Sequence, residues 1–188
     1  MFGFGNKKPL LGIRIAVLAA DGVEQIELTS PWKALHKAGA ELYLISLRKG
    51  KIQAVNALVP GERITVDATL DEAHPASFAA LLLPGGLASP DLMRQQPKAL
   101  DFVRSFARTG RPIAAICHAP WLLASAGLLQ GRTLTSWPGI QDDMRNAGAI
   151  WKDEPVVVDG NLLTSRGPKD IKKFNKRTIA HFAELLNA

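Results

Sequence analysis

Three short stretches of this chain are apolar at nearly every position: Ile13-Arg14-Ile15-Ala16-Val17-Leu18-Ala19, Ala79-Ala80-Leu81-Leu82-Leu83 and Pro112-Ile113-Ala114-Ala115-Ile116. A strand with one wet face alternates apolar and polar residues. Unbroken apolar runs of this length therefore mark strands covered on both faces. Helical periodicity fills the intervals. Ile26, Leu28, Trp32 and Leu35 recur at helical spacing between Gln25 and Ala38, Gly39 stops that segment, and Pro31 predicts a kink or a late start. Helices are also expected from Pro97 to Thr109, from His118 to Ala126, and from near Pro168 almost to the end of the chain. Glu41 to Leu47 alternates as a strand, residues 51–69 read as short extended pieces or a hairpin, and Val156 to Leu163 reads as a hairpin around Asp159-Gly160. Apolar strands alternating with helices give an α/β fold with a mostly parallel central sheet covered on both faces. Ligands of such sheets bind at the carboxyl ends of the strands. The loops after Ala19, Leu83 and Ile116 are therefore where chemistry is expected.

Composition narrows the classes further. The length of 188 residues suits one domain, assigned here to 13–188, with residues 1–12 as a flexible N-terminal arm. That arm lacks the apolar centre of a signal peptide, and no apolar run reaches the roughly 18–20 residues of a membrane span. No membrane partner is expected. A single cysteine forms no internal disulfide, which points to a reducing cytoplasm. His36, His74, His118 and His181 are scattered without ligand spacing, so no metal and no cofactor are expected. The formal charge of +6 is concentrated at Arg166, Lys169, Lys172, Lys173, Lys176 and Arg177. Ile171, Phe174, Phe182 and Leu185 of the same helix fall at core spacing, so the cations read as a solvated helix face. Without interleaved aromatics or a recognition motif, no specific nucleic-acid partner is expected.

The chemistry converges on Cys117. It follows an apolar strand directly and opens a helix, the arrangement of a nucleophile elbow that lifts a side chain above a sheet. A helix N-terminus behind the sulfur favours the thiolate, and the adjacent His118 supplies a base of the kind that activates a thiol. A lone cysteine in an unspecified place is more often inert and buried; its position here, beside a histidine, reverses that reading. Pro84-Gly85-Gly86 ends a neighbouring strand, where glycines admit close approach and their amides can serve as oxyanion donors. In Asp21-Gly22-Val23-Glu24, at the end of the first strand, Glu24 can reach the site, and so can Asp21 or Glu27. A carboxyl beside a thiolate keeps its proton and donates to sulfur.

Together, Asp21-Gly22-Val23-Glu24-Gln25-Ile26-Glu27-Leu28, Leu82-Leu83-Pro84-Gly85-Gly86, Ala115-Ile116-Cys117-His118-Ala119-Pro120, Leu134-Thr135-Ser136-Trp137-Pro138, Asp142 to Gly148 and Val156 to Arg166 resemble the PfpI-type family of the class I glutamine amidotransferase-like superfamily, over nearly all of residues 13–186. The resemblance implies a flavodoxin-like three-layer sandwich. It implies Cys117 as nucleophile, His118 as base, Glu24 as the glutamate bonded to the cysteine, and Gly86 with the His118 amide as oxyanion hole. It places Asp91, in Ser89-Pro90-Asp91, as the acid that orients the histidine of a neighbouring subunit, which requires a homodimer or a homohexamer. Gly85, Ala119, Trp121, Trp137 and Pro138 would border the pocket. Ala119 stands where the family has Gly. Trp121 and Trp137 make the rim more aromatic than in relatives, or else they pack in the core.

The activity so implied is glyoxalase or protein deglycase chemistry on methylglyoxal-type carbonyls and adducts, in a stress response. Two bulky tryptophans and burial in an oligomer favour small carbonyls over an extended peptide, although the resemblance includes intracellular cysteine peptidases. A redox sensor or chaperone using Cys117 is the non-enzymatic alternative. Glutamine amidotransfer is disfavoured, because His181 is followed two residues later by Ala183 and only then by Glu184.

Overall fold

The structure, a computed structural model, describes residues 8–187. In chain order the elements are β1 (Arg14–Leu18), β2 (Val23–Glu24), α1 (Gln25–Lys37), β3 (Glu41–Ser46), β4 (Lys51–Asn56), β5 (Val59–Thr65), β6 (Ala68–Thr69), β7 (Ala80–Leu83), α2 (Ala88–Arg94), α3 (Pro97–Arg108), β8 (Ile113–Ile116), α4 (Pro120–Ser125), β9 (Thr133–Leu134), α5 (Gln141–Asn146), β10 (Ile150–Trp151), β11 (Val156–Asp159), β12 (Leu162–Ser165) and α6 (Ile171–Leu186). Seven strands form the central sheet in the order β11-β12-β8-β7-β1-β3-β6. All its pairings are parallel except β11 with β12, the hairpin about Asp159-Gly160.

The three apolar runs are β1, β7 and β8, the middle of this sheet, and their alternate residues divide between two cores. Ala16, Leu18, Leu81, Leu83, Ile113 and Ala115 pack against Phe102, Val103 and Phe106 of α3 and Leu122 and Leu123 of α4. Ile15, Val17, Leu82, Ala114 and Ile116 pack against Leu28 and Leu35 of α1 and Phe174 and Phe182 of α6. Both faces are dry, and apart from Arg14 at the exposed start of β1 the three strands carry no polar residue. The result is the expected three-layer sandwich. No helix among the described residues is long and apolar enough to cross a membrane.

Several local expectations shift. Pro31 neither delays nor ends α1, which starts at Gln25 and carries the proline, buried, in its interior. The helix after Cys117 begins at Pro120 rather than at His118. Proline at the first helical position loses no intrahelical bond, and the preceding residues form tight turns in which the Trp121 amide donates to the His118 carbonyl at 3.0 Å. Residues 51–65 are a hairpin, as expected, but β4 and β5 join β2 in a separate three-stranded sheet. The two-residue β2 and the seven-residue α2 are too short to leave a periodic signature.

The flexible arm assigned to residues 1–12 is corrected over its second part, while residues 1–7 lie outside the described residues. Leu10 is fully buried with Leu35 and Ala38, and its amide donates to the Ala38 carbonyl at 3.0 Å. The Gly12 amide donates to the Gly39 carbonyl at 3.1 Å. Leu10→Ala should therefore cost about 2–4 kcal/mol in urea unfolding. A cost near zero would return residues 8–12 to a loose arm.

Candidate active site

β8 ends at Ile116, and the chain turns sharply at Cys117, where φ is +64°. A left-handed conformation at a non-glycine residue is strained by about 1–3 kcal/mol and persists only where neighbours enforce it. Here they do so on both sides: the Cys117 amide donates to Ser165 of β12 at 3.0 Å, and the Cys117 carbonyl accepts from the Trp137 amide at 2.8 Å. The side chain is thereby raised out of the sheet at the carboxyl ends of β7, β8 and β12, where strand topology predicts a site. Ala119 tolerates the absence of glycine because its φ of −56° is ordinary helical backbone and its methyl is buried in the core.

Close packing explains Gly85-Gly86. A Cβ on Gly85 would lie 2.4 Å from Glu27 Oε2 and 2.6 Å from Cys117 Cβ. Gly86 has φ of +90°, and a Cβ there would meet the Gly22 carbonyl oxygen at 2.4 Å. Glycine lets the β7 loop lie against both the cysteine and the β1 loop, and the Glu24 amide donates to the Gly85 carbonyl at 3.2 Å. The backbone amides of Gly86 and His118 are both aimed at the Cys117 sulfur and favour its charged form.

The acid beneath the cysteine is Glu27, not Glu24. Glu27 occupies the inner face of α1 with Leu28, Pro31 and Leu35 and is fully buried. It lies against the Cys117 thiol and the Gly85 and Gly86 amides, yet no well-aligned hydrogen bond reaches either oxygen. Burial, more than the nearby Glu24 charge, pushes its carboxyl up to about 8. Glu24 instead sits at the mouth, where it accepts from the Ala57 amide at 2.9 Å. Asp21 is engaged elsewhere, with Arg48 at 2.8 Å and the Gln53 amide at 2.7 Å. The signal for Glu27 was present in the sequence, because 27, 31 and 35 share a helix face. The apolar reading through Ile26 obscured it, and Ile26 is exposed.

Burial also pushes the Cys117 thiol up, and the Glu27 charge adds to it. This opposes the expectation of a readily formed thiolate. The second cause disappears when Glu27 holds its proton, and at neutral pH it does. Sγ then faces one carboxyl donor and two amides, so a negative charge formed there has no ionised carboxylate directly beneath it. His118 Nδ1 lies 3.2 Å from Sγ. Burial holds the imidazole below its usual value, so it is neutral and can accept a proton. Its ring is packed between two indoles: Trp137 nearly parallel, with centroids 5.7 Å apart, and Trp121 tilted at 5.1 Å. Trp121 is anchored by donation from Nε1 to Asp143 Oδ2 at 2.8 Å. The tryptophans thus orient the histidine within a single chain.

Above the sulfur opens a cavity of about 400 Å³ lined by Glu24, Glu27, Ala57, Leu58, Gly86, Leu87, Cys117, His118, Trp137 and Pro168. Of the expected border residues only Trp137 lines it. Gly85 lies under the cysteine, Trp121 behind the histidine, and Ala119 in the core, while Pro138 starts the turn after Trp137. Leu58 and Leu87, both exposed, were not anticipated. They come from the hairpin tip and from the start of α2, which the fold folds over the elbow. Among the described residues, no lysine or arginine lines the cavity. Asp91 is exposed on α2, its carboxylate bonded to Gln95 at 3.1 Å, and it makes no bond to His118 of its own chain.

A carboxyl whose folded value lies above its unfolded value contributes stability that is complete below about 4.5 and is lost as pH rises toward 8; for Glu27 this is on the order of 5 kcal/mol. Thermal unfolding of the wild type should therefore weaken from pH 5 to 8.5 relative to Glu27→Gln, which keeps the shape without the charge. Parallel curves for the two proteins would show that Glu27 does not titrate in that window.

Known proteins share this fold. The DJ-1/PfpI family matches residues 13–181. The chain is 45% identical over 159 residues to Deglycase PfpI of Pyrococcus furiosus, spanning 85% of this chain and 93% of that protein. It is 44% identical over 167 residues to Protein/nucleic acid deglycase 2 of Escherichia coli, spanning 88% and 95%. The crystal structure of Drosophila melanogaster DJ-1beta superposes with a TM-score of 0.81 at 32% identity, covering 92% of this chain and 91% of that one.

Proposed function

Since the chain belongs to the DJ-1/PfpI family, we propose that it is a cysteine-dependent enzyme acting on small α-dicarbonyls such as methylglyoxal and on their adducts with proteins, as a glyoxalase or deglycase. The observation that carries this reading is Cys117 Sγ, 3.2 Å from a neutral His118, at the floor of a cavity of about 400 Å³. That volume lies at the small end of the roughly 300–1,000 Å³ range of ligand sites. The hairpin tip and Leu87 fold over it, which suits a small carbonyl better than an extended peptide.

The balanced steps use this chain's own groups. His118 takes the thiol proton, and Sγ attacks the aldehyde carbon. The carbonyl π electrons move to oxygen, which the amides of Gly86 and His118 stabilise. His118 gives the thiol proton to that oxygen and, free again, moves a proton from C1 to C2 through an enediol; loss of the proton on the C1 oxygen leaves a thioester. Water cleaves the thioester, so methylglyoxal and water become lactate, and the sulfur is regenerated. Glu27, protonated, donates toward the sulfur whenever it carries charge. With an adduct as substrate, the displaced amine, guanidine or thiol leaves with the proton His118 holds.

A reducing compartment such as the cytoplasm suits a catalytic thiol that must remain unoxidised. We also place Asp91 against His118 of a second copy. Its support is its exposed position on α2, between two exposed apolar residues, Leu92 and the cavity-lining Leu87.

Incubation with methylglyoxal in the absence of glutathione should yield lactate, and Cys117→Ala should abolish it. His118→Ala should lower kcat by about 10²–10⁴-fold. If wild type makes no lactate while peroxide readily converts Cys117 to the sulfinate, the protein is a redox sensor instead. Size measurement in solution tests the second copy: a strict monomer with full activity removes Asp91 from the site.

A further inference from the structure

Among the described residues, two that are not glycine hold a left-handed backbone: Cys117 at φ of +64° and Ala57 at φ of +57°. The first is the nucleophile. The second has no chemistry of its own, yet both border the same cavity. Ala57 and Leu58 form the two-residue loop between Asn56 of β4 and Val59 of β5, which face each other across the hairpin. The loop carries alanine where glycine or asparagine is the usual choice. A left-handed backbone at such a residue persists where its surroundings enforce it. Part of that enforcement comes from outside the hairpin, because the Ala57 amide donates to Glu24 Oε2 at 2.9 Å.

The body of the hairpin is attached separately. β4 pairs with β2, the Gln53 amide donates to Asp21 Oδ1 at 2.7 Å, and the Glu62 amide donates to Gln25 Oε1 at 2.7 Å. Beyond these anchors residues 56–60 are all exposed, and the hydrogen bond that ties their turn to the rest of the molecule is the one to Glu24. Leu58 is 88% exposed and nevertheless lines the cavity. A leucine with so little of its surface covered adds little to the stability of the fold. Its position at the mouth is what it contributes. Glu24 stands at the end of β2, directly before α1, so the bond is made from the same rigid start of α1 that carries Glu27 beneath the sulfur.

We propose that Glu24 sets the size limit of the site: its carboxylate latches the hairpin tip through the Ala57 amide, and the latched tip keeps Leu58 across the mouth of the Cys117 cavity. A molecule the size of methylglyoxal passes Leu58. A bulky group on the carbonyl, or an adduct still attached to a folded protein, reaches the sulfur only when the bond between Glu24 and Ala57 opens. Glu24 touches no reacting atom; it is a positioning residue that determines specificity. The identity of the substrates rests on the activity proposed above, whereas the latch governs access to Cys117 and is measured without turnover.

Cys117 is the only cysteine in the chain, so alkylation reports access to it alone. The test measures the rates at which the full chain reacts with iodoacetamide and with iodoacetamidofluorescein. The ratio of the bulky to the small reagent cancels any change in thiolate fraction. Glu24→Ala should raise that ratio about tenfold, the shift toward the open tip expected when a hydrogen bond to a charged group is lost. Glu24→Gln keeps an acceptor for the Ala57 amide and should recover most of the wild-type ratio. Leu58→Ala leaves the latch intact and should raise the ratio by a similar factor; because Leu58 is exposed, this variant keeps the fold even where Glu24→Ala does not. The double variant should exceed neither single one by much, since both remove the same obstruction. The proposal fails if Glu24→Ala and Leu58→Ala leave the ratio unchanged, if Glu24→Gln behaves as Glu24→Ala, or if the two single effects multiply in the double variant. Absence of lactate formation in wild type would remove the activity proposed above and leave the labelling result to decide the latch by itself.

Discussion

An L-residue held at φ of +64° is an unfavourable conformation, and the left-handed turn at Cys117 is the constraint on which the site depends. It lifts the sulfur off the end of β8 and aligns it with the His118 ring and the Gly86 amide. The turn is sustained by backbone bonds to β12 and to Trp137, segments 48 and 20 positions away in the chain. The same Trp137 whose amide holds the elbow presents its ring to His118 and to the solvent. The reactive thiol, the orientation of its base and the shape of the rim are therefore one mechanical unit. A shift of the backbone at Ser165 or Trp137 therefore acts directly on the turn that presents the sulfur.

The electrostatics rest on a second constraint, the burial of Glu27. A carboxyl without well-aligned partners in a dry pocket is expensive to ionise, and this keeps a proton beside a sulfur that is itself buried. Two acids share a site in which only one negative charge is tolerable. Protonation of the carboxyl is what allows the charge to reside on sulfur. The activation differs from the one expected of a helix N-terminus alone. The helix after Cys117 starts three residues later, at Pro120, and the amides that reach the sulfur come from the elbow and from the glycine loop.

Trp121 and Trp137 resolve into different tasks. One is fixed by Asp143 and backs the histidine; the other is half open and forms the rim. Between them the imidazole is oriented inside one chain, so an acid from a second copy would refine an orientation that already exists. The apolar hairpin tip at Leu58, with Leu87, narrows access from the opposite side. Small neutral carbonyls fit this opening.

The amino-acid sequence by itself determined the layers and the nucleophile. Unbroken apolar runs have one physical meaning, strands dry on both faces, and Cys117 between such a run and a helix has few alternatives. The glycine pair was legible for the same reason, since its spacing from the strand is local. What the tertiary structure decided were relations across the chain. Glu27 rather than Glu24 lies under the sulfur, because helix phase turns position 27 inward and β2 holds 24 at the mouth. Leu10 joins the core because the end of α1 offers it carbonyls. Periodicity reports which residues share a face of one element; which faces meet is settled by packing, and packing is non-local.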